Sequence, residues 1–293
     1  IDKGIYQLDA TQREVFATNN ENAKEIIFAF PFDDQYITDW NAFDIHMQTL
    51  QPANQATYGL SSSPWGGICA IPQFINTFDK DDLRYKENWI KGDQYSASGE
   101  LLTCTMGAMF GQPLSFINEV PSIAESEEVH GFRHGKFEIA MGAQVQLSND
   151  WPFFRYADVL MMKAESLLRQ GKADEAAVIV TQVRERNFPD HPDKAVVTGA
   201  DLQKGSCYDY GRRDNLKAHT FEGGDDIKFG RFLDELGWEF NQEGRRRQDM
   251  IRFGVYTTKS WFSHEPNGDY RTLLPIPRAE IEKNPNLKQN TGY

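Results

Sequence analysis

Four polar and aromatic residues in one short stretch, with an arginine downstream, carry the chemistry that stands out in this chain. Trp40, Asn41, Tyr58 and Trp65 fall within Asp39–Gly67, with Asp44, Asn54 and Gln55 among them, and Arg133 lies further on. Aromatic faces gain apolar burial by stacking on the C–H faces of sugar rings. Planar amides, carboxylates and guanidinium groups bond the hydroxyls, most strongly when charged. Gly59, Gly66 and Gly67 would let backbone approach a ligand. Trp65 is the foremost candidate, because Pro64, Gly66 and Gly67 place it in a turn rather than in an apolar run. The competing use for each of these rings is burial in a core or against a partner.

Other reactive clusters are weaker. Asp79, Asp81 and Asp82 form a short acidic loop that could take calcium, but it lacks the glycine and glutamate of an EF-hand, so a solvated turn is expected. His130 and His134 are four residues apart, with Gly131 between them and no acidic third ligand after them, so a loop is expected there rather than a metal site. Arg245, Arg246 and Arg247 lie near Glu243 and Asp249, a spacing that suggests ion pairs within one helix, Glu243 with Arg247 among them. Tyr208 and Tyr210 beside Arg212 and Arg213 fit a surface patch or a packed loop equally well, and Trp151, Trp238 and Trp261 are assigned to packing. No GxSxG elbow, HExxH helix or GxxxxGK[ST] loop occurs. With 43 carboxylates, chance pairs are guaranteed, so no glycosidase acid/base pair can be read from the sequence. No enzyme activity and no cofactor are expected.

The bulk numbers set outer bounds. At 40% hydrophobic and 25% charged residues, 293 residues can bury a large core. A net charge of −12 disfavours tracking a phosphate backbone, so no nucleic-acid partner is expected. Aromatics at 13% exceed what such a core needs, so some rings should face solvent. Cys69, Cys104 and Cys207 are widely spaced and read as free thiols. No apolar run approaches the ~20 residues of a membrane span. The chain opens on Ile1 and a polar, irregular segment, as if cut from a longer protein.

Three regions position these residues. Residues 1–150 are loop-rich, with a helix near Gln12–Asn19 and a strand over Glu25–Phe30 that Pro31 ends. Residues 151–254 hold the helices. Ala157, Leu160, Met161, Ala164 and Leu168 make one apolar face, and Gly171 stops that helix. Ala173, Ala176, Ala177, Val180 and Val183 make the face of a second, antiparallel helix. The pair fits one tetratricopeptide unit, which cannot bury its face alone and asks for further helices here or upstream. Phe229, Phe232, Leu233, Leu236 and Phe240 mark a third helix, and Glu243–Phe253 a fourth. Residues 255–293 read as a tail, extended from Leu273 onward. The fold class is mostly α, with little β and long loop-rich excursions.

The ordered segments carry a resemblance. Arg155-Tyr156-Ala157-Asp158-Val159-Leu160, Ala164-Glu165, Gly171 and Glu175-Ala176 resemble the helix pair of the SusD/RagB family. Glu235-Leu236, Phe240, Glu243-Gly244, Arg246, Asp249, Ile251-Arg252 and Gly254 are similar to its next conserved stretch. Leu274-Pro275-Ile276-Pro277, Glu280-Ile281, Asn284-Pro285, Leu287 and Gln289 to Tyr293 resemble its ending. Gly230, Arg247 and Thr291 depart from the usual Glu, Trp and Pro. The resemblance implies the C-terminal half of a non-catalytic, lipid-anchored surface protein of a bacterial outer membrane. Such a protein would bind oligosaccharide, or peptide, and deliver it to a SusC-like TonB-dependent transporter. It implies an N-terminal half of the same protein as a further partner. A tetratricopeptide-type scaffold that binds only protein is the alternative, and a glycoside hydrolase is a more distant one.

Overall fold

The computed structural model describes residues 4–37 and 43–293. Four helices dominate it, at Tyr156–Arg169, Ala173–Glu185, Gly230–Glu239 and Arg246–Arg252. They are called the first to fourth long helices below. The fold is mostly α, and its strands are short ribbons.

The expected apolar faces point inward. Ala157, Leu160, Met161, Ala164 and Leu168 of the first long helix interlock with Ala176, Ala177, Val180 and Val183 of the second, forming a tetratricopeptide-type hairpin. Gly171 adopts a left-handed φ of 82°, and Lys172 N–H reaches back to the Leu167 carbonyl, closing the first helix. Phe232, Leu236 and Phe240 of the third long helix fill the same core. Gly230 starts that helix, and a side chain there would put a Cβ 2.1 Å from the Ser206 amide nitrogen. The departure from the family's glutamate therefore marks a backbone contact.

The strand Ile26–Phe30 pairs antiparallel with Trp151–Arg155, at the start of the region 151–254 expected to be helical. The two apolar runs satisfy each other's backbone, and Arg155 then turns straight into the first long helix. Within residues 43–150 short helices recur, such as Ile45–Thr49, Gln55–Tyr58 and Leu83–Glu87. The tail, expected to be extended, contains a helix at Arg278–Lys283. Pro277 precedes its start, and Pro285 lies just past its end, where a helix cannot continue. The Glu25–Phe30 strand and the Gln12 helix form as Ile26–Phe30 and Gln12–Val15.

The third long helix is buried almost all round, although it carries Asp234, Glu235 and Glu239. Their charges are met from elsewhere in the chain. Glu239 Oε1 accepts from Arg155 Nη1 at 2.9 Å and from Arg186 Nη2 at 2.7 Å, and Oε2 accepts from Arg84 Nη1 at 3.2 Å. Arg155 also reaches Glu25 at 2.5 Å and Glu243 at 2.8 Å. Lys136 Nζ donates to Glu243 and to the Glu239 carbonyl, and Asp82 holds Arg84 at 2.7 Å. Four carboxylates thus meet four cations in the dry interior. Glu243 faces Arg155 and Lys136, so the expected Glu243–Arg247 helix pair does not form; Arg247 bonds the Arg271 carbonyl instead.

Burial alone would raise the pKa of Glu25, but Arg186 and Arg155 outweigh it and hold the carboxyl low; Glu239 is lowered likewise by Arg186, Arg155 and Arg84. A folded pKa below the unfolded 4.5 means that the unfolded chain protonates first. Stability present above that value is then lost as pH falls from it through the lower folded value. Arg155→Met removes the cation that three buried carboxylates share and should cost about 3–5 kcal/mol in urea denaturation at neutral pH. A loss under about 1 kcal/mol would show that the network does not hold the fold.

Candidate functional site

Trp65 sits on a loop fastened to the helix Ile45–Thr49. Its amide donates to the Met47 carbonyl at 2.8 Å, Gly66 N–H to Leu50 O at 2.9 Å, and Ile68 N–H to Gln48 O at 2.9 Å. Gly66 and Gly67 take φ of 72° and 119°, so the chain reverses where other residues would be strained. The backbone is tied down while the indole remains 57% exposed. A ring held this way loses little further freedom when a ligand stacks on it.

The other expected residues divide. Tyr58 ends the helix Gln55–Tyr58 and is half-buried against Met47, Leu50 and Leu60, with burial raising its phenol pKa. Arg133 is buried rather than displayed. Its guanidinium donates to the carbonyls of Glu128 at 2.8 Å, His130 at 2.9 Å and Ile68 at 3.4 Å, and lies over the Phe116 ring. Arg133 therefore braces the Trp65 loop from beneath, and a direct ligand contact from it is set aside. Trp40 and Asn41 lie outside the described residues. Asn54 is buried and bonds Gln94 at 3.2 Å.

The acidic loop is committed elsewhere. Asp79 and Asp81 hold Lys194 at 3.0 and 2.6 Å, while Asp82 caps the helix Leu83–Glu87 and grips Arg84. Two different cations draw the three carboxylates apart, and among the described residues no acid, histidine and cysteine cluster suited to a metal occurs. His130 Nδ1 accepts the Glu127 amide at 2.8 Å, which is a loop role.

A second feature went unread in the sequence. Between the third and fourth long helices and the Trp89 region lies a half-open cleft of about 400 Å³. Phe74, Trp89, Tyr208, Tyr210 and Trp261 supply rings, and Arg246 and Arg247 supply charge. Tyr208 and Tyr210 are packed, not a surface patch. Trp238 is buried, and Trp151 stacks on Phe137 at 5.2 Å. Residues 70 to 261 contribute, so no local spacing could have revealed the cleft. It joins the loop through Thr49, whose hydroxyl donates to Ile68 O at 2.8 Å and accepts the His134 amide at 2.9 Å.

Outside both features, Phe28, Phe30, Phe153 and Phe154 form an exposed aromatic face on the two-stranded ribbon, with ring centroids 4.8–5.8 Å apart.

The sequence profile of the SusD family matches residues 118–293. The chain belongs to the SusD family. The starch-binding protein SusD of Bacteroides thetaiotaomicron is 30% identical over 152 residues, which is 49% of this chain and 22% of that protein. The SusD-like protein P25 of Formosa agariphila is 28% identical over 151 residues, 48% of this chain and 24% of that protein. Among solved structures, NanU of B. fragilis superposes with a TM-score of 0.59 at 22% identity, covering 99% of this chain and 55% of that one. Surface glycan-binding protein A from Bacteroides thetaiotaomicron in complex with laminarihexaose gives 0.62 at 16%, covering 99% and 56%. This SusD-family chain thus spans about half the length of those solved relatives.

His134 makes the junction of loop and cleft sensitive to acid. Burial, and then Arg133, lower its pKa from 6.5 to about 4. The unfolded chain therefore takes up the proton first, and stability present above pH 6.5 is lost as pH falls toward 4. His134→Gln should flatten the fall of melting temperature across that window. An unchanged slope would mean that His134 is not the group titrating.

Proposed function

We propose that this chain belongs to a cell-surface protein that binds oligosaccharide without cleaving it and passes it to a SusC-like TonB-dependent transporter of the outer membrane. The observation that carries the reading is Trp65, an exposed indole on a backbone already fixed by three hydrogen bonds. Stacking on a sugar face needs such a ring. The names of the starch-binding relative and of the laminarihexaose complex support the ligand class. Asp249 is the sole carboxylate lining the cleft among the described residues, and it is paired with Arg252, which speaks against a facing acid/base pair there. No described helix is long and apolar enough to cross a membrane. Attachment to the membrane would then fall to a lipid anchor on an N-terminal segment.

The Phe28, Phe30, Phe153 and Phe154 face supports the partnership with an N-terminal half. Solved relatives are nearly twice as long, and their extra length offers something to cover these rings. The 293-residue chain should bind an apolar dye such as ANS at this face, and Phe28→Ser with Phe153→Ser should lower the signal. Equal dye binding by a longer form of the protein would refute the cover.

Calorimetry of that longer form against starch, β-glucan, fructan and host-glycan oligosaccharides tests the main reading. Binding without release of shorter products is expected. Trp65→Ala should weaken it by about fivefold or more, on the scale of about 1–3 kcal/mol for a base stacked on an aromatic ring, with the melting temperature unchanged. Trp65→Ala binding as tightly as the parent would remove the loop from the site, and binding to no glycan at all would favour a protein-binding scaffold.

A further inference from the structure

The last segment of the chain is folded without being packed. From residue 265 to residue 293 no residue is buried, and Leu273 and Leu274 are 57% and 69% exposed. A segment that buries so little apolar surface does not by itself offset the entropy lost in ordering it.

It is nevertheless closed on itself. The Tyr293 hydroxyl donates to the Leu273 carbonyl at 2.8 Å, the Asn290 amide to the Leu274 carbonyl at 2.7 Å, and the Gln289 amide to the Ile276 carbonyl at 2.9 Å. Gln289 Oε1 accepts the Ile276 N–H at 2.9 Å. Pro275 and Pro277 have no N–H to satisfy, and the Pro277 carbonyl accepts the Glu280 N–H at 2.9 Å. Tyr293 packs edge-on against Tyr270, with ring centroids 5.0 Å apart. Gly292 lets them meet, because a Cβ there would stand 2.5 Å from the Tyr270 ring. The short helix Arg278–Lys283 pairs its own charges, Arg278 with Glu282 at 2.7 Å and Lys283 with Glu280 at 3.2 Å. In water, solvent could serve these backbone groups equally well. Pairing them within the chain is what burial demands. Leu273-Leu274-Pro275-Ile276-Pro277 therefore has the makeup of a buried strap, with bare leucines and carbonyls already answered.

The choice of cover follows from size and length. The clasp hangs on the fourth long helix through Arg247, which donates to the Arg271 and Thr272 carbonyls at 2.8 and 3.4 Å. A stable contact between separate molecules buries about 1,200–2,000 Å², far more than two leucines supply. A covalently joined partner needs much less, because its effective concentration is high. The solved relatives superpose on 99% of this chain, which covers 55% and 56% of them, so nearly half of each is chain without a counterpart here. The family profile runs through the clasp to residue 293, which makes it part of the shared fold.

We propose that residues 273–293 form a preformed strap that docks on the N-terminal half of the same protein, with Leu273 and Leu274 laid on an apolar surface of that half. The strap rests on the reading above that such a half exists. It is a different surface from the Phe28 face and is independent of glycan binding.

Limited trypsin digestion followed by mass spectrometry reads the strap at Arg278, Lys283 and Lys288, in this chain and in a longer form that carries the N-terminal half. In this chain these bonds should be among the first cut. In the longer form cutting should slow by at least about tenfold, since cleavage follows the fraction of time a segment is open. Leu273→Ser with Leu274→Ser should restore cutting in the longer form and lower its melting temperature, while that of this chain stays unchanged. If the double variant fails to fold, the two parent forms decide alone. Equal cutting in both forms overturns the strap. An equal fall of melting temperature in both also overturns it, because the leucines would then stabilise this chain by themselves. Protection that grows with the concentration of this chain alone gives the clasp to a second copy and overturns the proposal too. Dye binding at the Phe28 face separates the two readings. Dye binding lost in the longer form with Arg278 still open sinks the strap and leaves the N-terminal half standing. Arg278 protected with dye binding unchanged supports the strap and refutes the cover of the Phe28 face.

Discussion

Glu239 is the residue on which the architecture converges. It lies on a helix buried all round, and its carboxylate meets arginines from three distant parts of the chain, Arg84, Arg155 and Arg186. A buried carboxylate cannot stay ionised without such company, because desolvation would otherwise neutralise it. The reverse holds too: Arg155, with no exposed side-chain surface, needs Glu25, Glu239 and Glu243 together. Such a network adds less stability than a well-packed apolar core of the same volume. What it does is join the strand ribbon, the helical hairpin and the segment around Lys136 through shared ion pairs.

That arrangement explains why a loop-rich region can present a fixed surface. Lys136 ties the backbone near His134 to Glu243 and to the carbonyl of Glu239. The Trp65 loop hangs on the neighbouring Thr49 and Arg133 through hydrogen bonds to Ile68. Rigidity therefore passes from the ion network through short polar contacts to an exposed ring. The cleft lies on the same route, between the third long helix and the Trp89 region, and inherits its shape from it. Loops positioned by a rigid scaffold are where binding groups usually sit.

The aromatic excess finds three uses. Phe74, Phe78, Trp89 and Trp238 pack edge-on or tilted in one core cluster. Trp65 faces solvent, as do Phe110 and Phe221. Phe28, Phe30, Phe153 and Phe154 form a patch of rings too large and too contiguous to be incidental exposure. Composition announced the surplus but could not apportion it.

The helical hairpin was legible from sequence because its cause is local. Apolar residues at helical spacing, Gly171 as a stop and acids in the first turn of the second helix act within a few turns of chain. The family was legible for a related reason, since its segments keep their order along the chain. Trp65 stood out because proline and glycines flank it, and its exposure agrees with that turn. The partners of Arg133, Glu243, Asp79 and Asp81 could not be read, because they lie far away in sequence: Ile68 for Arg133, Arg155 for Glu243, Lys194 for Asp79 and Asp81. A charge reveals its sign in the sequence, but only the fold decides which opposite charge it meets. The cleft is the extreme case, with walls drawn from segments between Ala70 and Trp261 that are far apart in the chain.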